Sequence, residues 1–211
     1  MAGNITNVKG KEGLSPEQVV KKLKERGKQF TLSKELPSSN EIEEAIKRNS
    51  KSQHPIAVVV TCSDSRVIPE YIFRAKPGEI FTVRSAGNVP DKNMLASIEY
   101  AVKHLGVDVI IVLGHTRCGA VKAALDIKSN VVDKNEEEKA ESFLPLLIEK
   151  IANNIEESKD LDEAVVRNAE RVVKELERMF REVKVIPAIY DIEKAEVKWL
   201  DEVGKHGRNR K

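Results

Sequence analysis

Cysteine occurs only twice in this 211-residue chain. Each copy stands beside other groups that can ligate a metal or carry charge. Cys62 opens the run Cys62-Ser63-Asp64-Ser65-Arg66, and Cys118 closes His115-Thr116-Arg117-Cys118. Two thiolates and one imidazole make a three-ligand set for zinc, with a fourth position left for water. Structural zinc sites are closed by four protein ligands, so three is the count of a site that performs chemistry. Zinc acidifies a bound water and turns it into a nucleophile at useful pH. Two thiolates already cancel the formal charge of the ion. That water should therefore be less acidic than in an all-imidazole site, where its pKa is about 7. Activity is expected to rise on the alkaline side of neutral.

Asp64 and Arg66 extend the reading from binding to catalysis. A carboxylate two residues from a ligand can accept a hydrogen bond from the nucleophile and aim its attacking lone pair. A guanidinium two residues further on can pin that carboxylate through a charge-assisted pair. If Arg66 let go, Asp64 could itself take the open metal position.

These residues need elements that bring them together. Ile56–Val60 is a continuous apolar run, the pattern of a buried parallel strand, and Cys62 follows it directly. Val109–Leu113 is a second such run, ending at Gly114-His115. A third strand is expected at Ile80–Val83, after the Pro77-Gly78 turn. Helical spacing of apolar residues places helices at 40–50, 91–105, from Cys118 to about 126, 141–156 and 160–182. Ser15-Pro16-Glu17 reads as a helix start, with Ser as N-cap and Pro at the first position. Val183–Ile192 and Glu196–Leu200 read as a C-terminal hairpin, and 127–139 as a polar loop. The expected fold is α/β, with a mainly parallel central sheet flanked by helices, an N-terminal helical arm at 1–35 and a C-terminal β-hairpin, in one domain over 1–211. Ligands of such sheets bind outside the carboxyl ends of the strands. Cys62 and His115 each follow such an end, so two distant segments deliver ligands to one edge.

Composition bounds the partners. A hydrophobic content of 40% suffices for a core, while 33% charged residues and a net charge of +2 mean that acids and bases nearly cancel. That balance makes no case for nucleic acid. Two cysteines far apart do not make a disulfide framework and suit a reducing compartment. The polar start, without an apolar signal region, and the lack of any run long enough to span a bilayer lead to the expectation of a cytoplasmic protein.

The two motifs together resemble the zinc signature of the β-class carbonic anhydrases. The likeness extends through Arg66-Val67-Ile68-Pro69-Glu70, Pro77-Gly78-Glu79, Val83–Asn88, Ala96–Val102 and Leu113–Ala123. The resemblance implies Zn2+ held by Cys62, His115 and Cys118, with Asp64 and Arg66 as the catalytic dyad. It also implies Gln53 as a hydrogen-bond partner of bicarbonate, and Phe81 and Tyr100 as lining of an apolar CO2 pocket. The implied reaction is reversible hydration of CO2 to bicarbonate and a proton. The implied assembly is a homodimer or a tetramer of dimers with active sites at subunit interfaces, the arm at 1–35 packing on a partner. Where many members carry Arg-Asn after the second strand, this chain has Arg84-Ser85, and Ala86 replaces a bulkier residue that walls the pocket in some members. A tryptophan that serves an inhibitory bicarbonate site in one subgroup is here Val59.

Gln53 carries a geometric consequence of its own. A strand advances about 3.3 Å per residue, so Gln53 should lie more than about 20 Å from a metal held by Cys62. If it lines a site, that site belongs to another subunit.

Plainer readings stand beside these. Two buried thiols would explain the cysteines, and a strand-end cap and a surface ion pair would explain Asp64 and Arg66. No Cys-x-x-Cys supports a redox pair, and the Cys62–Arg66 spacing is too short for a phosphate-binding loop. Core packing alone would explain Phe81 and Tyr100. His54, His104 and His206 are not ligand candidates, and Arg84 and Arg117 read as structural ion-pair partners. Two functional alternatives to CO2 hydration remain open. One is hydrolysis of carbonyl sulfide or carbon disulfide, and the other is a non-catalytic zinc- or bicarbonate-binding protein.

Overall fold

The computed structural model describes residues 13–128 and 142–200. The expected loose arm before Gly13, most of the loop at 127–139 and the tail from Gly204 lie outside them. Among the described residues, five strands form one sheet in the order β2-β1-β3-β4-β5. Strands β1 (Ala57–Cys62), β2 (Ile80–Ser85), β3 (Val109–His115) and β4 (Lys184–Asp191) run parallel, and β5 (Glu196–Trp199) pairs antiparallel with β4. The fold is the expected α/β architecture, hairpin included.

Strands β1 and β3 are buried at every position, which is why they read as unbroken apolar runs. Their side chains alternate between two cores. Val58, Val60, Cys62, Ile110 and Val112 face a core closed by α4 (Lys92–Lys103), α5 (Gly119–Lys128), α6 (Leu144–Asn154) and α7 (Leu161–Met179). Ala57, Val59, Ile111 and Leu113 face the opposite core, closed by α1 (Pro16–Ser33) and the short α3 (Pro69–Ile72). Truncating one of these buried side chains, such as Ile110→Ala, should cost about 2–5 kcal/mol.

The N-terminal helices start where the sequence signals them. Ser15 caps α1 and Ser38 caps α2 (Ser39–Asn49), each in a reciprocal capping box, with Gln18 and Glu41 reaching back. Helix α1 lays Val19, Val20 and Leu23 on its own sheet, so contact of this arm with a partner subunit would have to use its exposed faces. Arg26 clamps α1 down through two hydrogen bonds to Glu79, at 2.9 and 3.2 Å, just before β2. Helix α2 buries only Ala45 and is tied down by Asn49, whose side-chain amide donates to the Pro77 carbonyl at 2.9 Å. Among the described residues, no helix is long and apolar enough to cross a membrane.

Candidate metal centre

Strand ends build the site. Cys62 is the last residue of β1 and pairs with Ser85 at the end of β2, and His115 is the last residue of β3. A tight turn at Thr116-Arg117, with Arg117 left-handed at φ 58°, then sets Cys118 against the start of α5. Thr116 braces that turn on the neighbouring strand: its N–H donates to the Tyr190 carbonyl at 3.0 Å, and its hydroxyl accepts from the N–H of Ile192 at 3.1 Å.

Cys62, His115 and Cys118 are buried, and their donor atoms all lie within 4.8 Å of one another. The two Sγ atoms are 4.0 Å apart. Tetrahedral zinc at about 2.3 Å from each thiolate would separate them by roughly 3.8 Å. His115 Nδ1 is 3.0 Å from the Thr116 carbonyl, which fixes the ring and leaves Nε2 facing the sulfurs. Among the described residues, that buried Nε2 has no hydrogen-bond partner. An orphaned imidazole nitrogen facing two thiols is the donor set of a metal site, and the three residues fit a zinc-type ion.

The sulfurs are prepared for a cation. Cys62 Sγ accepts N–H groups from Gly87 at 3.3 Å and Asp64 at 3.4 Å. Its thiol pKa is pushed down to about 4, chiefly by the Cys118 thiol and also by His115 and those two N–H groups. Cys118 is pushed up by the Cys62 thiolate beside it and by burial. A divalent ion bound here would displace the thiol proton that remains, since only the thiolate ligates.

Asp64 borders the same space, with Oδ2 3.9 Å from His115 Nε2. Arg66 donates Nε to Oδ1 at 2.9 Å and Nη2 to Oδ2 at 2.8 Å, and its backbone N–H adds a third bond to Oδ1. This grip holds the Asp64 carboxyl well below the usual carboxylate range. Arg66 is half exposed while Asp64 is mostly covered, so the carboxylate lies inward of the guanidinium.

Two arginines outside the expected site also hold the loop. Among the described residues Arg84 makes no ion pair and instead donates to the carbonyls of Cys62, Asp64 and Val67 at 3.1, 2.9 and 2.8 Å. Arg117 does pair, with Glu193. Neither role has a local sequence signal, because the partners lie 17–22 residues away for Arg84 and 76 for Arg117.

The residues expected to line the substrate pocket lie apart from the Cys62-His115-Cys118 cluster within one chain. Phe81 and Tyr100 meet, with ring centroids 6.4 Å apart. Phe81 lies four residues before Ser85, the partner of Cys62, and so about 13 Å down the sheet. Tyr100 is 46% exposed on α4. Gln53 is exposed ahead of β1, beyond the end opposite Cys62.

The fold and site together define a class: an α/β protein whose mainly parallel sheet presents a Cys-His-Cys cluster that could hold a metal and a clamped carboxylate at one edge. A family profile described as carbonic anhydrase matches residues 57–198. The carbonic anhydrase of Mycolicibacterium smegmatis is 45% identical over 111 residues, 53% of each chain. Carbonic anhydrase 2 of Mycobacterium tuberculosis is 43% identical over the same length. The chain spans about half the length of these curated relatives. Among solved structures, the Coccomyxa β-carbonic anhydrase in complex with acetazolamide has TM-score 0.64 and 26% identity, over 77% of this chain and 79% of that one. The β-carbonic anhydrase CafA of Aspergillus fumigatus has TM-score 0.61 and 32% identity, over 88% and 90%. This chain belongs to the β-carbonic anhydrase family.

Proposed function

We propose that this chain is a zinc-dependent carbonic anhydrase that interconverts CO2 and water with bicarbonate and a proton. The observation that carries the reading is the bidentate Arg66–Asp64 pair set against the Cys62–His115–Cys118 ligand cluster. Zinc, when bound, would acidify a water into a nucleophile able to attack CO2 on the alkaline side of neutral pH. Asp64, held ionised and immobile by Arg66, accepts a hydrogen bond from that nucleophile and fixes the direction of attack. The three bonds from Arg66 hold both carboxylate oxygens, so Asp64 would stay off a metal bound by Cys62, His115 and Cys118 and leave a position for substrate. The Arg84 clamp on three carbonyls keeps Asp64 and Cys62 in fixed relation during the reaction.

Gln53, Phe81 and Tyr100 serve as substrate contacts across a subunit interface, in a homodimer or a tetramer of dimers. Their separation from the metal ligands of the same chain supports this reading. Two tetrameric β-carbonic anhydrases of Sordaria macrospora are among the structural relatives. Two cysteines committed to a metal suit the cytoplasm, where thiols stay reduced.

Stopped-flow CO2 hydration by the zinc-loaded protein, with carbonyl sulfide and carbon disulfide assayed in parallel, tests the reading. Hydration of CO2 that is lost with the metal is expected. A zinc-loaded protein inert toward CO2 would overturn it.

A further inference from the structure

Cys62 is held from a direction no motif indicates. Gly87 donates its N–H to Cys62 Sγ at 3.3 Å. It does so from a left-handed conformation, φ 67°, inside the 3-10 turn Ala86–Asn88 after β2. A Cβ there would fall 2.5 Å from Ile151 Cδ1, so both conformation and packing demand glycine. The other side of the residue is tied as well: its carbonyl accepts from Asn168 Nδ2 at 2.7 Å. Asn168 is fully buried in α7, and its Oδ1 accepts from Asn154 Nδ2 of α6 at 2.9 Å.

A buried asparagine on an otherwise apolar helix face is costly unless both ends of its amide are used. Here both are used, and what they fix is one peptide turn. Asn154 orients the Asn168 amide, Asn168 holds the Gly87 carbonyl, and Gly87 so held points its N–H at the ligand sulfur. An N–H donated to a thiolate draws electron density from the sulfur and weakens its donation to a metal. In a site with two thiolates, that withdrawal preserves some of the Lewis acidity that the second sulfur removes.

We propose that Asn168, supported by Asn154, is a positioning residue of the metal centre that holds the Gly87 N–H on Cys62 and so tunes the ligand sulfur. The inference uses the metal-centre part of the proposed function and does not depend on the substrate being CO2.

The test is metal binding and spectroscopy on the full chain. Asn168→Leu keeps the branched shape and the number of heavy atoms, at a somewhat larger volume, and removes both hydrogen bonds. Asn154→Ala removes only the support. Leu176→Ala, two turns along α7 in the same core and fully buried, lowers stability without touching the turn. Zinc affinity is measured by chelator competition, and the sulfur-to-metal charge-transfer band is recorded on cobalt-loaded protein. Asn168→Leu should weaken zinc binding about 10- to 100-fold, because the turn no longer holds Cys62 in place for the ion, and should move the band to longer wavelength, because a sulfur without its N–H donor gives up electron density more readily. Asn154→Ala should move both in the same direction by less, and Leu176→Ala should leave the band in place. An Asn168→Leu band no further displaced than that of Leu176→Ala would overturn the proposal. If Asn168→Leu does not fold, an Asn154→Ala protein with native band and native zinc affinity would overturn it equally. A protein that shows these shifts but does not hydrate CO2 would refute the proposed reaction and leave the positioning role standing.

Discussion

Arg66 holds both carboxylate oxygens of Asp64, at 2.9 and 2.8 Å, while Asp64 Oδ2 stands 3.9 Å from the free ring nitrogen of His115. The guanidinium thus decides whether the carboxylate serves as a hydrogen-bond acceptor beside the metal or as a ligand to it. Arg66→Ala should reduce CO2 hydration and move Asp64 onto the ion. A crystal structure of the zinc-loaded variant should then show a carboxylate oxygen at about 2.0–2.2 Å from the metal. A native-like open position with full activity would count against the clamp.

Bicarbonate should not regulate the parent protein. Val59 is fully buried in the core opposite Cys62, and its side chain offers no N–H donor. A second bicarbonate therefore lacks the donor that would help it pull Arg66 from Asp64. Activity titrated with bicarbonate at fixed pH should fall only as simple product inhibition allows. Cooperative loss would contradict this.

Removing a ligand should cost fold as well as metal. Cys118→Ser should lose zinc and melt at lower temperature, because metal affinity is partly folding free energy. The parent treated with a strong chelator should move toward the same melting temperature. Equal melting with and without metal would show that the cluster contributes nothing to stability.

Acid should weaken the attachment of α1. Burial pushes the Glu79 carboxyl up, but Arg26 and the Lys76 N–H outweigh it and hold the pKa below normal. A depressed carboxyl pKa contributes stability above the unfolded value, about 4.3, and that contribution disappears as pH falls through the folded value. Glu79→Gln should cost about 3 kcal/mol at neutral pH, since it strands a largely covered Arg26. The melting gap between parent and variant should close as pH drops below about 4. A gap constant with pH would rule out the ion pair as its source.

Gln53 sets the expectation for assembly. Exposed ahead of β1, it stands on the order of 20 Å or more from its own metal ligands. Light scattering at micromolar concentration should show no substantial monomer. Mixing inactive Gln53→Ala and Cys118→Ser subunits should restore part of the activity, because a mixed dimer holds one intact site. A stable, active monomer would refute the shared pocket.

The strands and the ligand cluster were legible in the sequence because they are local signals. The apolar runs 56–60 and 109–113 have one sensible burial, and each ends at a ligand. The short α3 was missed because its four residues from Pro69 have no room for a helical period. Arg84, Gly87 and Asn168 were missed as supports of the site for a different reason. Their partners lie between 14 and 81 residues away, and spacing along the chain carries no trace of such contacts. Asn168 sits in a helix whose apolar period says only that one face is buried.

One comparison bears most directly on the proposed chemistry: CO2 hydration by Asp64→Asn against the parent, with zinc per chain measured in the same samples. An amide can present N–H2 where the nucleophile needs an acceptor. Zinc content should stay near one per chain while the hydration rate falls on the order of 10- to 1000-fold. An Asp64→Asn protein that keeps its zinc and hydrates CO2 as fast as the parent would contradict the catalytic role of the Asp64–Arg66 pair.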